Sequence, residues 1–150
     1  MIIAPGDGSS ASERRDATFT GEVWGTPVVS APGQAMIASI FFAPGARTFW
    51  HSHDGGQVLQ VLAGSGLIGR RGESPRALRP GDTVWAPPGE VHWHGATAET
   101  TLSHVAVSLG TTRWAEPVSP ADYETGPEPS GPEPSGPERS GPEPPADGQK

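Results

Sequence analysis

The sequence contains no cysteine. Disulfides and thiolate metal ligands are therefore excluded, and any metal must be held by imidazole, carboxylate or amide groups. Lysine is almost missing too: Lys150 is the only one, and the ten basic residues form no stripe. The electrostatic footprint of a nucleic-acid-binding surface is thus absent. No apolar run approaches the ~20 residues of a membrane span, and Met1 to Phe19 lacks the apolar core of a signal peptide. No window sustains helical periodicity for three turns. These absences lead to the expectation of a cytoplasmic, mainly β protein with no nucleic-acid or membrane partner.

What is present is unevenly distributed. The 150 residues suffice for one domain, yet only 33% are hydrophobic. Much of the deficit lies between Gly126 and Lys150, which hold no Val, Ile, Leu, Phe, Trp, Tyr or Met. Four near-copies of Gly-Pro-Glu-Pro-Ser begin at Gly126, Gly131, Gly136 and Gly141. Such a segment has nothing to bury and few backbone donors, so residues 126–150 are expected to be a disordered repeat tail. Residues 1–17 are small and polar and read as a flexible N-terminal arm. The folded domain is expected over residues 18–125.

Inside that domain, strand-sized apolar segments alternate with turns such as Ala31-Pro32-Gly33, Pro44-Gly45, Gly64-Ser65-Gly66, Pro80-Gly81 and Pro87-Pro88-Gly89. The segments are Phe19–Trp24, Ala35–Ala43, Gln57–Ala63, Leu67–Arg71, Thr83–Ala86, Val91–His94 and Thr100–Leu109. Many short strands at even spacing argue for an all-β sandwich or barrel. A short helix is expected over Pro120–Glu124, capped by Ser119.

Four of the five histidines fall in two pairs. His51 and His53 are two residues apart, which on a strand puts both imidazoles on one face. Gln57 shares their parity. His92 and His94 repeat the arrangement on a second strand, and a barrel interior would bring the two faces together. One such pair is easily chance; two among five histidines are not. Trp50, Trp85 and Trp93 are read as barrel packing, with Trp93 facing away from the histidines, and Arg47 as a loop salt-bridge partner.

The spacing of these residues resembles the cupin superfamily. Its first motif, G-x5-H-x-H-x3-E-x6-G, corresponds to Gly45, His51, His53, Gln57 and Gly64. Its second, G-x5-P-x-G-x2-H-x3-N, corresponds to Gly81, Pro87, Gly89, His92 and Ala96. The resemblance implies a single-domain jelly-roll β-barrel with one divalent metal on His51, His53, Gln57 and His92. Three neutral imidazoles and one oxygen ligand suit manganese, iron, nickel or zinc, and ligand softness does not choose among them. Cupins of this size are commonly assembled, so a homodimer or homotetramer is expected. Two positions depart from the motifs: Gln57 stands where Glu is usual, and Ala96 where Asn is usual. A neutral amide leaves the metal's charge uncompensated, which favours Lewis-acid chemistry over oxygen chemistry.

The wording of the chain is closer still to one group. Phe42-Ala-Pro-Gly-Ala-Arg-Thr-Phe-Trp-His-Ser-His and Gly81-Asp-Thr-Val-Trp-Ala-Pro-Pro-Gly-Glu-Val-His-Trp-His-Gly-Ala look like the small bacterial manganese-dependent cupin hydroxynitrile lyases, the (R)-mandelonitrile lyase type. That resemblance runs from about Thr18 to Glu124. It implies His94 and His104 as catalytic proton carriers and Ala38, Ile40 and Ser108 as substrate-pocket residues. A larger polar side chain would be expected at Ser108. The alternatives left open are a metal-dependent dioxygenase, a polyketide cyclase or isomerase, and a non-catalytic small-molecule-binding cupin.

Overall fold

The computed structural model describes residues 1–5 and 10–124. The repeat tail lies outside them. Thirteen strands and one short helix make up the described chain. The strands are β1 (Glu13–Arg14), β2 (Phe19–Thr20), β3 (Val23–Ala31), β4 (Ala35–Phe42), β5 (Arg47–Thr48), β6 (His51–His53) and β7 (Gln57–Gly64). They continue as β8 (Gly66–Arg70), β9 (Arg76–Leu78), β10 (Thr83–Ala86), β11 (His92–Ala96), β12 (Leu102–Leu109) and β13 (Thr112–Trp114), before helix α1 (Pro120–Glu124).

All pairings are antiparallel and fall into two sheets. The first has the order β1-β3-β4-β12-β7-β10. The second runs β13-β6-β11-β5-β2, with β8 joining β11 to β9. The expected all-β jelly roll is what the chain forms.

The inward face of the first sheet can be read as rows across strands. At one end Val23, Phe42, Leu102 and Gly64 share a row. Next come Gly25, Ile40, His104 and Val61, then Ala38, Ala106 and Leu59, and finally Met36, Ser108 and Gln57. Polar side chains enter at His104 in the second row and at Ser108 and Gln57 in the last. Val23, Phe42, Ala46, Val61, Leu78, Ala96 and Leu102 close the apolar end as one buried cluster. The rows from Ile40 to Ser108 face the functional cavity.

A second cluster lies on the far side of β11. Trp50, Leu67, Trp93 and Val118 are buried there, with Val91 and Tyr123 packed against them. Trp93 fills the space over Gly69, where no Cβ would fit. It does face away from the histidines. Ser119 caps α1 by accepting from the Asp122 N–H at 3.1 Å, and the Tyr123 hydroxyl donates to the Ala96 carbonyl at 2.9 Å. The C-terminal segment is thereby fixed over the second sheet.

Several elements differ from the sequence expectation for identifiable reasons. The segment Phe19–Trp24 divides at Gly21, whose φ of +82° breaks the strand. A Cβ there would also fall 2.9 Å from that of Ala46. Strand β3 runs on through Pro27, and a bulge between Pro27 and Val29 absorbs the irregularity. Beyond Gly25 it has no β1 neighbour, so the proline faces an open edge. Within the expected arm, Glu13 and Arg14 pair with Gly25 and Trp24 as a strand. Trp85 is 53% exposed on the outer face, where it lies over Gly56 instead of packing in the core. Arg47 donates to the carbonyls of Gly45 and Val118 and lies 4.4 Å from the Tyr123 ring, partners other than the salt bridge expected for it.

Candidate metal centre and cavity

The two histidine pairs come together because β6 and β11 are neighbours. His51 is directly opposite His92, and on the other side of β6 Thr112 and Trp114 stand opposite His53 and His51. Nitrogens of His51, His53 and His92 lie within 4.8 Å of one another. All three residues are buried.

Each ring is oriented through its Nδ1. His51 Nδ1 is 3.0 Å from the Phe49 carbonyl, His92 Nδ1 is 3.0 Å from the Glu90 carbonyl, and His53 Nδ1 is 3.1 Å from the Thr112 hydroxyl. The two carbonyls hold the tautomer that leaves Nε2 of His51 and His92 as the ligand atom, and the Thr112 hydroxyl, which can donate or accept, orients the His53 ring. His53 Nε2 is buried with no hydrogen-bond partner, an arrangement that is costly unless something absent from the polypeptide occupies the space.

Gln57 enters from the other sheet, at the start of β7. Its amide Nε2 donates to Ser108 Oγ at 3.0 Å, and its Oε1 lies 2.9 Å from His92 Nε2. A neutral imidazole has one ring proton, and on His92 the Glu90 carbonyl claims it. The lone pairs of Nε2 and Oε1 then face each other, an arrangement that a cation between them would relieve. The donor set of this region could hold a divalent metal.

Protonation follows from burial. Desolvation, then the charge of His92, pushes His51 down to about 3 and His53 to about 4. His92 is lowered chiefly by the same burial. Neutral imidazoles are the form in which histidine binds metals.

His94 and His104 form a second pair. His104 Nε2 lies 3.1 Å from His94 Nδ1, and His94 Nε2 and His104 Nδ1 are both buried without a partner. Burial pushes His104 to about 4, and burial followed by the neighbouring His104 holds His94 well below its usual value. The Thr48 hydroxyl fixes the strand by accepting from the His94 backbone N–H at 3.1 Å. Phe42 backs both rings, 5.8 Å from His94 and 5.4 Å from His104.

One cavity of about 540 Å³ joins most of these groups. His51, His53, Gln57 and His94 line it, as do Ala38, Ile40 and Ser108. His92 and His104 stand behind that lining, in contact with Gln57 and His94 respectively. Ala106, Thr48, Thr112, Phe19 and Trp114 complete the walls. Residues Arg14 to Thr18 close one side.

A model of the cupin domain matches residues 39–108. Over 103 residues the chain is 48% identical to the (R)-mandelonitrile lyase of Granulicella tundricola, an alignment covering 67% of this chain and 79% of that one. This chain belongs to the cupin superfamily. A cupin-like protein from Thermotoga maritima is also similar, with 36% identity, 85% of this chain and 97% of that chain covered, and a TM-score of 0.69. The polyketide cyclase of Streptomyces resistomycificus covers 83% and 92% of the two chains with a TM-score of 0.65, but at 17% identity the likeness is one of fold alone.

Sequence reasoning missed several residues of this cupin cavity. Thr112 and Trp114 were legible in principle, since they alternate on one short strand after a glycine turn. The arm residues carried no signal. Nothing in the polarity of Arg14, Arg15 and Asp16 distinguishes a cavity wall from a solvated terminus.

Proposed function

We propose that this cupin is a metal-dependent lyase that cleaves, or in reverse forms, the C–C bond of a small 2-hydroxynitrile. His51, His53, Gln57 and His92 are the residues that would hold the ion. The observation that carries the reading is the pairing of two neutral histidine groups in one place. A candidate metal cluster and a separate orphaned His94–His104 pair meet at a single cavity. The likeness to a protein named (R)-mandelonitrile lyase supports the same substrate class.

A divalent ion in this position supplies Lewis acidity toward the substrate oxygen. The protein's own groups do the rest. His94, kept neutral by burial, accepts the hydroxyl proton at its unpartnered Nε2. Its Nδ1 proton can pass to His104 Nε2 along their 3.1 Å contact. As the carbonyl forms, the C–C electron pair leaves with cyanide, and a proton returned by the pair gives hydrogen cyanide and the aldehyde. Ala38 and Ile40 offer an apolar wall to the rest of the substrate, and Ser108 holds the Gln57 amide in place.

Cyanide release from mandelonitrile tests this directly. Manganese-loaded protein should release cyanide faster than the His94→Ala and His92→Ala variants by at least about 100-fold, the usual scale for a positioned acid–base group. Equal release from all three would remove the proposed reaction.

A further inference from the structure

Arg15 stands out among the charged groups at the cavity. Its neighbour Arg14 is already paired, with Nε 3.0 Å from an Asp16 carboxylate oxygen. Arg15 is half-buried, and its nearest acid is Glu13, at 3.9 Å. That distance is beyond a hydrogen bond, and Glu13 is not part of the cavity lining. The Arg15 side chain therefore has no hydrogen-bond acceptor among the described residues. A guanidinium carries five donors in a planar fork suited to a carboxylate.

Its position is held by the fold. The Arg15 backbone N–H donates to the Val23 carbonyl at 2.8 Å, and the side chain lies across Gly25. A Cβ built at Gly25 would fall 2.6 Å from Arg15 Nε and 3.3 Å from Ile40 Cδ1. The glycine thus makes room for the guanidinium beside a wall residue of the cavity. Gly25 stands opposite Ile40, and Ile40 opposite His104. Arg15 consequently caps the same cross-strand row as His104, two strand spacings or about 10 Å from it.

We propose that Arg15 is a specificity determinant, and that the preferred substrate carries an anionic carboxylate at the end remote from the reacting hydroxyl. This deepens the lyase reading, on which it rests for the placement of the hydroxyl end. Ile40, Phe19 and Trp114 line the cavity and offer apolar surface to a rigid aromatic spacer between the two ends.

The test is calorimetric binding of two probes to the purified, manganese-loaded protein: 4-(hydroxymethyl)benzoate and benzyl alcohol. The protein should prefer the carboxylate by about tenfold, the scale of one charge-assisted contact. Arg15→Gln should abolish the preference while leaving the affinity for benzyl alcohol unchanged. Gly25→Ala should weaken it by displacing the guanidinium. Arg15→Lys should retain part of it, and Arg79→Gln, outside the cavity, all of it. No preference in the parent protein, or an equal preference in Arg15→Gln, overturns the proposal. Because binding is read without turnover, failure of mandelonitrile cleavage would remove the lyase reading and leave this result standing.

Discussion

At the scale of single residues, what sets this site apart is that five imidazoles are buried together. Burial penalises the charged form, so all five are held neutral. The consequence can be measured at His104, whose ordinary value of 6.5 is pushed down to about 4 by burial. Between those values the unfolded chain binds a proton that the folded chain refuses. Stability is then fully present above pH 6.5 and is lost as the pH falls toward about 4. His104→Gln should make that pH dependence shallower by up to one proton, ~1.4 kcal/mol per pH unit, in urea unfolding of metal-free protein across pH 4 to 7. An unchanged slope would mean that His104 is not neutral in the fold. The legible part of the site was its spacing. Strand alternation explains the same-face pairs His51/His53 and His92/His94, whereas grouping Gln57 with His51, His53 and His92 came from the resemblance to cupins, since Gln57 enters from the other sheet. The Nδ1 partners were not legible, because the Phe49 and Glu90 carbonyls are backbone groups whose direction no side-chain pattern reveals.

At the scale of elements, the histidine clusters are a product of strand pairing. Strand β11 carries His92 and His94 inward and Trp93 outward, so one strand serves the site and the outer core at once. Phe42 links the same two levels, being fully buried in the apolar end and backing both rings of the second histidine pair. Phe42→Ala should cost ~3–5 kcal/mol in urea unfolding through lost burial and a cavity. A cost below about 1 kcal/mol would place Phe42 outside the core. Apolar segments of four residues or more, such as Gln57–Gly64 and Thr83–Ala86, were recoverable from the sequence nearly to the residue. Strands of two or three residues, such as Arg47–Thr48, Arg76–Leu78 and Thr112–Trp114, were not. They are too short for alternation to register, and they form because neighbouring strands offer them an edge.

At the scale of the whole molecule, two sheets meet so that each contributes part of the site. The three histidines come from the second sheet, while Gln57, His104 and the pocket wall of Ala38, Ile40 and Ser108 come from the first. The centre therefore exists only when the two sheets are packed together, and an ion bound there stabilises the folded state over the unfolded one. No helix among the described residues is long and apolar enough to cross a membrane. The overall architecture was legible because turn residues recur at barrel spacing. The closure of the cavity by Arg14 to Thr18 was not, because it depends on where β3 leaves an edge for the arm to join. The central claim is that these residues bind one divalent metal. Titration of chelator-treated protein with manganese, read by calorimetry and by thermal midpoint, tests it most directly. One ion per chain and a raised midpoint are expected, with both lost in His92→Ala. Absence of binding and of any stabilisation by manganese, iron, nickel or zinc would contradict the account.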